Sequence, residues 1–154
     1  QVLEWEAPIS RSLLCKRILS SWNITRMGTR LERRFDELFT VLRIKSTRSN
    51  HTVFYWNNEQ NPEEYSLFRV PENEAARRNM EDIAPQEVAN AIRYILQNQV
   101  SLLRSDVIRE VYKLFGFARG GASMEDSIAA GIDEAADRGY VTIDADTGRV
   151  IIRE

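Results

Sequence analysis

The sequence holds a single cysteine, Cys15, and a single histidine, His51. One thiol excludes an internal disulfide and fits a reducing compartment. With so few sulfur and imidazole ligands, the usual zinc sites cannot assemble within one chain. No G-x-x-x-x-G-K-[ST] run occurs, so there is no phosphate-cradling loop of that type. No apolar run approaches the length that spans a bilayer, and no signal-peptide pattern opens the chain. A cytoplasmic location is expected. There is no overall basic excess either, with 21 Lys and Arg against 23 Asp and Glu. The first residue is Gln rather than Met, so a piece of a longer polypeptide is expected.

What is present is a globular composition. The 154 residues are 43% hydrophobic and 29% charged, enough for one ordinary domain or two small ones. Charge is unevenly divided. Residues 1–57 carry ten Lys and Arg against five Asp and Glu, whereas residues 58–154 carry eleven against eighteen. A basic half raises the expectation of nucleic acid on that half. The competing reading is a pair of solvated surfaces that simply differ.

The chain also resembles itself. Trp22, Ile24, Arg26 and Gly28 recur as Phe115, Phe117, Arg119 and Gly121, 93 residues later. At the same offset Leu14 meets Val107, Ile18 meets Val111, Leu31 meets Met124, Phe35 meets Ile128 and Phe39 meets Ile132. Leu38, by contrast, faces Gly131. Each copy predicts a helix (about 10–22 and 104–115), a turn ending in Gly28 or Gly121, and a second helix. Leu14, Ile18 and Trp22 form one apolar face, and Leu31, Phe35, Leu38 and Leu42 another. The glycines are expected to take positive φ, and Thr29 with Glu32 and Ser123 with Asp126 are expected to form capping boxes. A β-hairpin closes each copy: Ile44 to Trp56, turning near Ser49-Asn50, and Tyr140 to Ile152, turning at Asp144 to Gly148. The second copy gains a preceding helix at Pro85, with Val88, Ala91, Ile92, Ile95 and Leu96 on one face. For the first copy that helix lies upstream, or residues 63–82 supply the packing.

The fold expected is mainly α with small β-hairpins, as tandem winged-helix domains of the helix-turn-helix class. The first unit spans 1–57, a partly packed connector 58–84 and the second unit 85–154. Tyr65, Leu67, Phe68 and Val70 in the connector suggest an edge strand, and Ala75 to Met80 one or two helical turns.

Catalytic constellations are scarce. Asp144-x-Asp146-x-Gly148 has its glycine one place early for a calcium loop and lacks the closing glutamate, so a hairpin turn is the better reading. Asp146-Thr147-Gly148 has no second triplet with which to make an aspartic dyad. Cys15 reads as a small buried apolar residue, and His51 as an exposed hairpin tip. The basic residues carry more. Arg30 and Arg33 fall on the outer face of the second helix of copy one, with Arg34 at its border, and Lys45 and Arg48 lie on the hairpin. Together they are the candidate phosphate contacts. Asp36 and Glu37 share that face and weaken it. Arg26 and Arg119 recur in opposite charge surroundings, so they are expected to pair with acids and brace their turns. The second copy places Glu125, Asp126, Asp133, Glu134 and Asp137 on its equivalent helix, a surface for protein rather than phosphate.

The runs Glu6-Ala7-Pro8-Ile9, Arg17, Trp22, Arg26, Gly28, Ile83 with Pro85 and Glu87, and Gly116-Phe117-Arg119-Gly121 resemble a specific family. It is the uncharacterised C-terminal domain family of large bacterial superfamily-one helicase-like proteins, which often carry a nuclease-like domain before it. The resemblance covers nearly the whole chain. It implies no catalytic residues, cofactor or metal in this segment, and places any ATPase or nuclease chemistry on other domains of the parent polypeptide. The function expected is a non-catalytic accessory module binding DNA without sequence preference through its basic first unit. Its other partners would be domains of the same parent, with no membrane and no small-molecule substrate. The alternative is a protein–protein assembly module without nucleic-acid contact.

Overall fold

The computed structural model describes all of residues 1–154. The chain is about half helical and divides into two compact units, residues 1–62 and 63–154. The first unit runs α1 (Val2–Glu6), β1 (Ile9–Ser10), α2 (Arg11–Ser21), α3 (Thr29–Val41), β2 (Ser46–Ser49) and β3 (Thr52–Tyr55). The second runs through two 3-10 turns, Glu74–Ala76 and Met80–Asp82, then α4 (Pro85–Gln99), β4 (Ser101–Leu103), α5 (Arg104–Leu114), α6 (Ala122–Asp137), β5 (Val141–Ile143) and β6 (Arg149–Ile152). Each unit holds one antiparallel three-stranded sheet, in the order β1-β3-β2 and β4-β6-β5.

The repeat has a structural counterpart. α2 and α5 begin at Arg11 and Arg104, and α3 and α6 at Thr29 and Ala122, in both cases 93 residues apart. Helices α2 and α5 also end alike. Asn23 and Gly116 take positive φ, of 56° and 92°. Ile24 N–H donates to the Leu19 carbonyl and Phe117 N–H to that of Tyr112. This double-bonded stop satisfies the last carbonyls of a helix and selects glycine or asparagine at its left-handed residue.

Several expectations are corrected. Gly28 and Gly121 are extended, with φ of −89° and −149°, and act as N-caps. The left-handed residue of each turn lies at the end of the preceding helix instead. Neither capping box forms, because Thr29 and Ser123 already lie inside their helices. Glu32 is drawn instead to Arg11, at 3.7 Å. Each sheet has a third strand, β1 or β4, beyond the expected hairpin. Both are short and defined only by pairing across the hairpin, Ile9 opposite Tyr55 and Leu102 opposite Val150.

Residues 63–84 pack into the second unit, so they do not complete the first. They form no strand. Phe68, Met80 and Ile83 join the second core, built on Val88, Ile92, Leu96, Val107, Val111, Phe115, Ile128 and Ile132. A polar clamp holds this strap down. Buried Glu87 on α4 accepts hydrogen bonds from Arg69 (2.8 Å) and Arg78 (2.7 Å). Asn90 donates to the carbonyls of Tyr65 and Leu67. Burial alone would raise the Glu87 carboxyl, but its hydrogen bonds with Arg69 and Arg78 outweigh that and hold it below the usual glutamate value.

The first core is smaller: Ile9, Leu14, Cys15, Leu19, Phe35, Phe39 and Tyr55. Trp22, Leu38 and Leu42, expected on its apolar faces, stay largely exposed. Trp22 sits past the last turn of α2 and only stacks on Phe35, ring centroids 6.4 Å apart. Trp56 is fully buried, its indole N–H donating to the Thr47 hydroxyl.

Candidate nucleic-acid interface

Phe35 and Phe39 anchor α3 to the core and so decide which side of it faces outward. The helical period then sets Arg30, Arg33, Arg34 and Glu37 on the opposite side, and all four are exposed. None of the three arginines forms an ion pair within the fold.

The acids of α3 are arranged differently. Arg11, in the first turn of α2, reaches Asp36 at 2.6 Å and Glu32 at 3.7 Å. Partial burial works against the Arg11 charge, but the Asp36 hydrogen bond and the surrounding charges together outweigh it, and the guanidinium is held more firmly protonated than usual. Two of the three carboxylates of α3 are therefore turned toward α2 and compensated, leaving Glu37 on the outer face. The sequence offered one signal for this. A cation in the first turn of a helix opposes the helix dipole, so Arg11 calls for an acidic partner from elsewhere in the fold.

Of the two hairpin cations, Arg48 lies on β2 opposite Val53, exposed and without an ion pair. Lys45 precedes β2 and has a structural task. Its ammonium donates to the carbonyls of Gln60 and Asn58, fastening the turn that follows the hairpin. That turn is tied down further by Gln60, whose amide donates to the Ala7 carbonyl at 2.9 Å. His51 is exposed beside Asn50 at the hairpin tip. Arg26 and Arg119 are exposed and form no ion pair, so the bracing role expected for them is not what the structure shows.

In the second unit α6 exposes Glu125, Asp126, Asp133 and Asp137, while Glu134 binds Arg138 at 2.9 Å. The Asp144 carboxylate accepts from the Thr147 and Asp146 amides, bonds that lower its pKa and make it the closing group of a tight turn. Cys15 is buried, and burial pushes its thiol up, away from the reactive thiolate. No group of three or more His, Cys, Asp or Glu side chains is arranged to hold a metal ion.

The fold and this surface define a mixed α/β chain of two similarly built units, with an unpaired basic helix face on the first. A family model described as a protein of unknown function (DUF3320) matches residues 1–33, which span α1, β1, α2 and the start of α3. No curated protein and no solved structure matches the chain. No helix is long and apolar enough to cross a membrane.

Proposed function

We propose that the chain is a non-catalytic pair of winged-helix domains whose first unit binds the DNA backbone without sequence preference. The observation that carries this reading is the outer face of α3, where Arg30, Arg33 and Arg34 stand exposed and unpaired while Arg11 draws Asp36 and Glu32 aside. A second helix followed by a hairpin is the arrangement in which helix-turn-helix proteins place one helix in the major groove and flank it with backbone contacts. Arg48 on β2 supplies a flanking cation. Few side chains on α3 could read base edges, so phosphate neutralisation accounts for the affinity. The resemblance to the C-terminal domains of helicase-like proteins supports the role of an accessory module that keeps a catalytic parent on its substrate inside the cell. The acidic face of α6 supports a second reading for the other unit, a docking surface for protein.

The test is binding of the chain to short labelled single- and double-stranded DNA across a salt series. Three or four phosphate contacts require log affinity to fall against log salt with a slope of about −3. Arg30→Glu with Arg33→Glu should reduce that slope by about 2. Absence of binding at low salt would falsify the proposal and favour an assembly module.

A further inference from the structure

The 93-residue offset that aligns α2 with α5 and α3 with α6 also aligns α1, Val2–Glu6, with Ile95–Gln99, the last turn of α4. The two stubs pack alike. Val2 and Leu3 lie against the first core, as Ile95 and Leu96 do against the second. The first unit thus has the end of an α4, and no residue of the sequence corresponds to Pro85–Arg93 of the second.

What those residues and the strap cover in the second unit is bare in the first. Phe115 is 1% exposed and its counterpart Trp22 57%. Ala135 is 0% exposed and its counterpart Leu42 60%, while buried Gly131 corresponds to Leu38 at 42%. Val111 is buried and its counterpart Ile18 only partly so. A single exposed leucine needs no explanation. Large apolar side chains grouped on two helices, at positions the sister copy buries, mark a contact face.

We infer that the face formed by Ile18, Trp22, Leu38 and Leu42 seats an amphipathic helix that continues α1 on its N-terminal side and lies as α4 lies in the second unit. The repeat also sets the chemistry of this helix. In the second unit α4 approaches α6 so closely that a Cβ on Gly131 would stand 2.1 Å from the Val88 Cγ1. There α4 supplies the bulk and α6 the small residues. On the first unit the sizes are exchanged, because Leu38 and Leu42 supply the bulk. The seated helix must therefore carry alanine, serine or glycine where α4 carries Val88, with aliphatic residues one turn further on. An acid in the place of Glu87 would need arginines of its own, since Glu87 is buried in α4 only because Arg69 and Arg78 bind it, so a helix added without them must lack that acid. This face borders Arg34, one turn before Leu38 on α3, but uses none of Arg30, Arg33 and Arg34, and stands whether or not they bind DNA.

The test repeats Pro85–Arg93 directly ahead of Gln1 in the full chain, so that Gln1 takes the place of Tyr94 in register. One version keeps the α4 sequence, and the other carries Glu87→Ala and Val88→Ala in the added copy. All chains carry Trp5→Phe. Trp56 is buried, so Trp22 is then the exposed emitter. Tethering holds the added helix at high local concentration, and the alanine version should cut the acrylamide-accessible emission by about half. The version that keeps valine and glutamate should protect less, and Leu38→Asp in the alanine version should restore quenching. Unchanged quenching in both versions overturns the inference. So does sedimentation showing that the unmodified chain is a dimer in which Trp22 is already shielded, since a second copy would then be the occupant.

Discussion

Glu87 shows how a single side chain can hold a segment of this protein in place. Its carboxylate is fully buried and bound by two guanidinium groups from residues that form no regular structure of their own. Removing the charge takes an ion-pair partner from both arginines and loosens the strap, so Glu87→Gln should destabilise the second unit by about 3 kcal/mol in urea unfolding. The pH dependence follows from the depressed carboxyl. The unfolded chain takes up this proton more readily than the folded one. The contribution is therefore complete above the ordinary glutamate range and is lost as pH falls through the lower folded value. The urea midpoint should drop as pH falls below about 5, and Glu87→Gln should flatten that drop. Gly131 makes a complementary case. A Cβ there would lie 2.1 and 2.5 Å from two carbons of Val88, a β-branched residue with little rotamer freedom. Gly131→Ala should cost about 1–3 kcal/mol, and Val88→Ala in the same chain should recover part of it, measured as a double-mutant cycle. Neither role is visible in the residue type. Glu87 reads as an ordinary first-turn acid of a helix, and Gly131 as a weak spot in one.

Helix α3 has its length and period written in its residues, and Phe35 and Phe39 lie on the buried side as that period requires. Its polarity is less legible. In the sequence Asp36 and Glu37 look equally placed to oppose the arginines, yet Arg11 draws Asp36 away and leaves Glu37. Asp36 is largely exposed and Arg11 only partly buried, so solvent screens the pair and Arg11→Gln should change stability by about 1 kcal/mol or less. The same substitution releases two uncompensated carboxylates beside Arg33 and Arg34. DNA affinity, followed by fluorescence anisotropy at low salt, should therefore fall while the unfolding midpoint hardly moves. Short strands β1 and β4 are illegible in the sequence for a different reason. Two or three residues carry no periodicity, and their conformation is set by hydrogen bonds to β3 and β6, distant in sequence.

The two units differ in how completely their cores are closed. The second is covered by α4 and the strap, and holds a fully buried cluster from Val88 to Val150. The first leaves Trp22, Leu38 and Leu42 in solvent. Amide hydrogen exchange should therefore be faster along α3 than along α6. A chain cut to residues 63–154 should keep a cooperative thermal transition, read by circular dichroism, because its core draws on no residue before Phe68. The duplicated plan was present in the sequence. A 93-residue offset aligned apolar residues and turns of the helix pairs, and a hairpin follows each pair, because helix period and turn chemistry act over a few neighbouring residues. Burial and pairing were not present in that form. Whether Trp22 lies in a core or in water, whether 63–84 joins two units or straps one, and which acid neutralises which arginine depend on groups far apart in the chain, and only the folded packing brings those groups within contact distance.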